Sequence, residues 1–209
     1  MQLGYREVEA MFAARFCIPE DRHIAFRGRL DHLRKLGCPS GVNSGKGRPA
    51  TFGWSQIVEL SIALDLIHGG FAPDGVARII QTHRANLLHH IKTIFRSISV
   101  EQVVAASLHD KWPMQETSYL HIQAGALDAL ISKDHAQTYI IGFVAGRDLA
   151  AWLDEDEDYE TPLMLIDLGT RMANLLWSMG LWAEIGIPAA VTQFREWLEG
   201  DSASTEGGV

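Results

Sequence analysis

Cationic side chains concentrate in one short stretch of this acidic chain, between residues 27 and 48. Guanidinium and ammonium groups neutralise phosphates, while arginine, asparagine and similar donors also hydrogen-bond to the edges of bases. A basic helix followed by a basic, glycine-rich hairpin is suited to a DNA groove. The candidate DNA contacts are Arg27, Arg29, Arg34, Lys35, Asn43, Ser44, Lys46 and Arg48.

A helical wheel drawn at about 100° per residue assigns roles within the basic helix. Arg27 and Arg34 lie together on this wheel, and we predict that they point outward to contact bases or phosphates. Arg29 lies on the other flank, where it suits the edge of the core as well as it suits DNA. Two apolar residues, Leu30 and Leu33, fall within about 40° of Phe26, and the three form the predicted buried stripe.

The glycine-rich segment that follows the basic helix is typical of a β-hairpin tip, or wing. Residues 41–52 contain three glycines flanked by short strand-like pairs, and glycine supplies the positive φ that such tips need. Lys46 and Arg48 near the tip favour a wing over a plain flexible loop. With Lys35, they are predicted to contact phosphates, and Asn43 and Ser44 are the polar candidates in the same segment.

The charge balance separates the chain into two parts. The formal net charge is −8, yet residues 1–100 carry a net +5 and residues 101–209 a net −13. Such asymmetry indicates a part that faces a polyanion joined to a part with another role. We therefore predict a DNA-binding domain over residues 1–97, an acidic domain over residues 98–200, and a disordered polar tail over residues 201–209.

Further helices are predicted around the basic one. Apolar spacing predicts a first helix from Tyr5 to Phe12, the basic helix from about Glu20 to Leu36, and a third helix from Trp54 to about His68. A fourth helix begins at Pro73 and meets no breaker until about Ser97. Its long apolar stripe either pairs with another subunit or packs inside its own chain. The stripe consists of Val76, Ile80, His83, Leu87, Ile91 and Ile94.

Residues beyond about 100 predict mixed α/β structure. Runs rich in β-branched and aromatic residues predict strands over 119–123, 137–144 and 162–166, and apolar spacing predicts helices over 168–179 and 188–199. Residues 154–160 form an acidic, solvated loop. Five tryptophans in this part belong to the core or line a small-molecule pocket or a protein interface. They are Trp112, Trp152, Trp177, Trp182 and Trp197.

Several classes of function lack their sequence signals. We find no phosphate-binding loop, nucleophile elbow, zinc-protease motif or dinucleotide fingerprint, so we predict no enzyme and no cofactor. Cys17 and Cys38 lack the closely spaced partners of a metal site and are predicted to be buried thiols. His83, His89 and His90 are predicted to lie on the surface and flank of the fourth helix. Without a membrane-length apolar run or a signal peptide, the expected compartment is a reducing cytoplasm.

The order of these elements resembles the winged helix-turn-helix domain of MerR-like regulators. Residues 50–60 are similar to the passage from the second wing strand into the third helix, and residues 70–76 to the turn that opens the fourth helix. The resemblance covers roughly residues 4–84. Three features depart from the family pattern: a longer first turn at residues 16–19, Asp31-His32-Leu33 in place of an Arg-Tyr-Tyr type signature, and some 110 further residues in place of a short coiled coil.

The resemblance implies a fold class and a function. The fold is an α-rich N-terminal winged helix-turn-helix with a small β wing, followed by a mixed α/β C-terminal domain. The function is that of a dimeric, sequence-specific transcriptional regulator in the cytoplasm, associated with a bacterial nucleoid. Its second helix would enter the major groove, with the wing on the backbone or minor groove, and its C-terminal domain would serve dimerisation or bind a small molecule or a protein. Two alternatives remain open: an excisionase-type DNA-bending factor, and a protein-interaction module with an acidic C-terminal domain.

Overall fold

The computed structural model describes residues 1–42, 49–96, 98–109, 112–124, 139–155, 163–182 and 185–203. These residues form a helix-rich mixed α/β fold with small antiparallel sheets. The elements of the N-terminal half are β1 Leu3–Gly4, α1 Tyr5–Arg15, α2 His23–Lys35, β2 Thr51–Phe52, α3 Trp54–His68 and α4 Pro73–Phe95. Those of the C-terminal half are α5 Val100–His109, β3 Ser118–Ala124, β4 Tyr139–Ala145, α6 Leu149–Glu155, β5 Leu163–Asp167, α7 Leu168–Trp182 and α8 Ile187–Ala203.

Most of the predicted elements are present, with shifted ends. The bounds of α3 are those predicted, while α1 runs three residues further than predicted, to Arg15. A 3-10 turn over Glu20–Arg22 precedes α2. Helices α5 and α6 were not predicted, because each is short and has few buried positions that reveal a helical period. The last helix, α8, includes residues 201–203 of the predicted tail, and residues 204–209 lie outside the described residues.

Two antiparallel sheets tie distant parts of the chain together. Strand β1 pairs with β2, so Leu3 lies opposite Phe52 and the start of the chain lies beside the segment that follows the glycine-rich loop. The second sheet has the strand order β4-β3-β5. In its centre, Leu120 lies opposite Phe143 on one side and Ile166 on the other.

A single hydrophobic core runs through both halves of the chain. Helix α7 packs against α1, α3 and α4. The ring of Phe194 on α8 lies 5.1 Å from that of Trp54 on α3 and 5.7 Å from that of Phe95 on α4. His90 on α4 stacks on Phe143 of the sheet at 4.3 Å. The predicted boundary near residue 97 therefore marks a change in charge, while the core continues across it.

Four of the six residues in the α4 stripe are buried within their own chain, and His83 and Ile94 are half-buried. Val76 and Ile91 are fully buried, and Ile80 and Leu87 are each only 2% exposed. Phe95, at the end of the same helix, packs on Trp112 with ring centroids 5.1 Å apart. The sequence left two alternatives for this stripe, pairing with another subunit or packing inside its own chain, and the structure shows the second. The stripe is therefore not free to pair with a second subunit.

Helices α1, α2 and α3 end in the same hydrogen-bonded motif, in which one residue adopts a left-handed conformation. That residue is Gly37 after α2 and Gly70 after α3, but it is Cys17, at φ 50°, after α1. The sequence-based prediction that both cysteines are buried is wrong for Cys17, which is exposed because it terminates a helix at the surface, and right for Cys38.

Replacing Cys17 by glycine is expected to stabilise the protein by about 1 kcal/mol. A side chain in the left-handed region costs roughly this amount, and the exposed thiol contributes little packing that would be lost. Urea denaturation of Cys17→Gly measures the change, with Cys17→Ser as the matched control that keeps a Cβ. An equal or lower midpoint for the glycine variant would contradict the expectation.

No helix among the described residues is long and apolar enough to cross a membrane.

Candidate nucleic-acid interface

The buried side of α2 is the one that the wheel predicts. Phe26, Leu30 and Leu33 are between 0% and 6% exposed and belong to the common core. Helix α1 packs on one flank of this stripe, so the two flanks of α2 meet different surroundings. The position of α1 therefore decides which cationic side chains of α2 remain exposed to solvent.

Arg34 lies on the flank that α1 covers. Its side chain is only 17% exposed, its Nη1 donates to Asp31 Oδ1 at 3.0 Å, and its guanidinium lies 4.9 Å from the ring centroid of Tyr5. The prediction that Arg34 points outward is therefore wrong. Its charge is partly neutralised within the chain, and its guanidinium packs on an aromatic ring.

Arg27 lies on the same flank, but more of its side chain is exposed to solvent than in Arg34. Its side chain is 55% exposed, and its Nε donates to the two carboxylate oxygens of Glu9 at 2.9 and 3.1 Å. Glu9 itself is nearly buried, so this ion pair fixes Arg27 against α1. Arg27 can contact a phosphate only through the N–H groups of its guanidinium that do not bind Glu9.

Tyr5 completes the contact between α1 and α2. Its hydroxyl donates to Asp31 Oδ1 at 3.0 Å, beneath the guanidinium of Arg34. Burial and the hydrogen bond to Asp31 raise the pKa of Tyr5 to about 12. The phenol therefore stays protonated and continues to donate over the whole physiological range, which holds α2 in one orientation on α1.

The opposite flank of α2 is open. Arg29 and Lys35 are exposed, and within the described part of the chain neither makes a hydrogen bond or an ion pair. His32 between them is also exposed, and Ile24, one turn before Gly28, is 83% exposed. We name this set the open face of α2: Ile24, Gly28, Arg29, His32 and Lys35. The wheel placed Gly28, His32 and Lys35 opposite the buried stripe, which is the sequence signal that could have identified this face.

Gly28 leaves a depression in the middle of the open face. A Cβ built on Gly28 meets no heavy atom within 4 Å, so no neighbour in the described residues requires a glycine. A glycine inside a helix costs roughly 0.5–1 kcal/mol relative to alanine. Because Gly28 has no side chain, the backbone of another molecule can approach the axis of α2 closely at this point.

A buried carboxylate anchors the chain where it leaves α2. Glu59 on α3 is fully buried and accepts hydrogen bonds from the backbone N–H of Ser40 at 2.8 Å and from Arg84 Nε at 2.7 Å. The hydroxyl of Ser55 donates to it at 3.1 Å. Three elements thus converge on one side chain and position the start of the glycine-rich segment.

Two glutamines reinforce this anchor. Gln81 on α4 donates from Nε2 to the backbone carbonyl of Leu36 at 2.8 Å, and Gln56 on α3 donates to the carbonyl of Ser40 at 3.2 Å. The end of α2 and the segment after it are therefore held by α4 and α3. The predicted wing contacts lie outside the described residues: Asn43, Ser44, Lys46 and Arg48.

Metal ligands do not converge in the residues that the structure describes, where no group of three or more His, Cys, Asp or Glu side chains could hold an ion. No family model, curated protein or solved structure matches the chain. The function must therefore be argued from the geometry of the surfaces themselves.

Proposed function

We propose that this protein is a sequence-specific DNA-binding transcriptional regulator. The observation that supports the proposal is the open face of α2, where Arg29, His32 and Lys35 surround the depression at Gly28 without partners among the described residues. Arginine and histidine donate to base edges, lysine pairs with phosphates, and an exposed isoleucine such as Ile24 suits the methyl group of thymine.

The arrangement of elements supports a MerR-like winged helix-turn-helix. Helix α1 holds α2 through Tyr5 and Glu9, β1 pairs with β2 on the far side of the glycine-rich segment, and α3 and α4 follow. In this proposal α2 enters the major groove, and the segment with Asn43, Ser44, Lys46 and Arg48 lies on the backbone or minor groove. The active species is a homodimer on a two-fold symmetric site, and since the α4 stripe is buried, its interface lies elsewhere.

Selection from a random duplex pool tests the proposal. We expect the full chain to enrich a defined, two-fold symmetric site, with an affinity that falls steeply between about 50 and 200 mM salt because counterions are released from the DNA. Failure to retain any duplex at low salt would overturn the proposal. Retention of all duplexes equally would refute sequence specificity and favour a DNA-bending factor.

Replacing Gly28 by alanine separates the folding of α2 from its proposed contact. Gly28→Ala is expected to raise the free energy of unfolding by about 0.5–1 kcal/mol, because the new Cβ meets open space and helix propensity improves. The same methyl group fills the depression and is expected to weaken binding to the selected site by about tenfold, or roughly 1.4 kcal/mol. Denaturation and fluorescence anisotropy measure the two effects.

The glycine at position 200 provides a matched control for this variant. Gly200 also lies in a helix, and a Cβ built on it meets no heavy atom within 4 Å, but it belongs to α8, far along the chain. Gly200→Ala should leave DNA affinity unchanged. Unaltered affinity in Gly28→Ala as well would show that nothing approaches the open face closely.

A further inference from the structure

A second site is formed where α1 and α3 end against α7. We name it the α1–α7 cleft; it has a volume of about 490 Å³, within the range of small-molecule sites. Its residues come from both halves of the chain: Arg15 ends α1 and Cys17 follows it, Asp65 and His68 lie in the last turn of α3, and α7 supplies much of the remaining wall. Its two sides differ in chemistry, one being charged and the other apolar.

The floor of the cleft is a buried ion pair. Arg15 Nη2 donates to Asp65 Oδ2 at 3.0 Å, and the two side chains are 7% and 6% exposed. Arg15 also donates to the hydroxyl of Ser61. Burial is the main influence on both groups, lowering the pKa of Arg15 and raising that of Asp65. This pair is neutral overall, so it leaves no charge to balance any other cation in the cleft.

Arg171 supplies the unbalanced charge. It is exposed on α7, lines the cleft, and has neither a hydrogen bond nor an ion pair within the described part of the chain. The positive charge of Arg171 further lowers the pKa of Arg15 and counteracts the rise in the pKa of Asp65. His68 lines the same cleft and also counteracts the rise in the pKa of Asp65. The charged side chains that the structure describes in the cleft therefore sum to a net positive charge.

The other side of the cleft is apolar and accessible. Leu181 and Trp182, at the end of α7, are 53% and 58% exposed, and Trp177 lies one turn earlier on the same wall. Large apolar side chains gain free energy when a ligand removes them from water, and an indole face suits a planar partner. Core packing, the other alternative for these tryptophans, accounts for Trp112 but not for Trp182.

We propose that the α1–α7 cleft binds a small aromatic carboxylate, whose carboxylate group pairs with Arg171 and whose ring covers the wall of Trp177 and Trp182. A planar guanidinium holds a carboxylate through two parallel hydrogen bonds, which favours this anion over a simple halide. Occupation of the cleft does not depend on whether α2 binds DNA, because none of the open-face residues lines it.

Alkylation of Cys17 reports on the cleft directly. Cys17 is exposed at its edge, whereas Cys38 is buried and burial raises the pKa of its thiol to about 12, so N-ethylmaleimide labels Cys17 selectively. The probes are benzoate, phenylacetate and 1-naphthoate, each compared with its neutral amide. At about ten times its dissociation constant, an acid that covers the cleft should slow alkylation about tenfold.

Substitution of Arg171 identifies the residue that recognises the anion. Arg171→Gln is expected to abolish the protection, and Arg147→Gln, which changes an exposed arginine after β4, is expected to retain it. Thermal melts with each probe give a second measurement that does not depend on the thiol, and we expect the acids alone to raise the melting temperature. If no acid protects Cys17 or raises the melting temperature at up to about 10 mM, or if the amides or the Arg171→Gln protein respond equally, the proposal is overturned.

Discussion

Reversing the charge of Arg29 and Lys35 together is expected to reduce affinity for the selected DNA site on the order of a hundredfold. Each arginine or lysine contact contributes about 1–3 kcal/mol to such complexes, and the two glutamates would also repel phosphates. Both side chains lie on the open face of α2 and have no partner among the described residues. The free energy of unfolding should therefore change by less than about 0.5 kcal/mol, as is usual for exposed positions.

Salt dependence distinguishes this effect from misfolding. Loss of the proposed phosphate contact of Lys35 lowers the slope of log affinity against log salt by about 1, which anisotropy titrations between about 50 and 200 mM salt can measure. The matched control is Arg147→Glu with Arg195→Glu, which applies the same charge change to exposed arginines outside α2. Equal loss of affinity in both double variants would show that only net charge matters and that the open face is not the contact surface.

Removing Asp65 is expected to lower the free energy of unfolding by about 3–5 kcal/mol. The guanidinium of Arg15 is 7% exposed and would remain buried without its carboxylate, and breaking a buried pair on one side has a cost of this size. Urea denaturation of Asp65→Ala measures the loss. A decrease of less than about 1 kcal/mol would show that Arg15 reaches water once its partner is gone.

Replacing both Arg15 and Asp65 tests whether the ion pair itself is needed for stability. The double variant Arg15→Met with Asp65→Leu should recover most of the stability lost in Asp65→Ala, because well-packed apolar residues can replace a buried ion pair at little cost. The single variant Arg15→Met leaves Asp65 buried without the cation that lowers its pKa. Since a carboxyl whose pKa is raised in the folded state favours folding when protonated, the contribution of Asp65 to the stability of this variant should be fully present below about pH 3.9 and be lost as the pH rises through the raised pKa.

The elements around α2 could be predicted well from local pattern. The buried stripe of Phe26, Leu30 and Leu33 is confirmed because a helix of known period exposes one face to the core wherever its neighbours lie. Helix α3 matches its predicted bounds because Gly53 and Gly69 flank apolar residues that recur every three or four positions. Such features depend on residues within one or two turns of each other.

The candidate site was predicted less well, since it depends on contacts between residues far apart in the chain. The wheel put Arg27 and Arg34 on an outward-facing flank and Arg29 on the other flank, but α1 covers the flank of Arg27 and Arg34 and supplies Glu9 and Tyr5 as partners. A wheel gives the angle of a side chain on its own helix and contains no information on which flank the next helix occupies. The cleft between α1 and α7 was hidden for the same reason, because Arg15 and Asp65 are separated by 50 residues.

The sequence by itself determined the basic segment, the helical period of its core stripe, and the order of the longer helices and of the strands that follow. These properties follow from local propensity and spacing, which act within a single element. Tertiary structure alone decided that Arg29 and Lys35 face outward while Arg34 packs on Tyr5, that both halves share one core, and that Arg171 faces a cleft with a buried ion pair on its floor. The physical reason is that the partner of a charge is chosen by the packing of whole helices, which residue spacing does not encode.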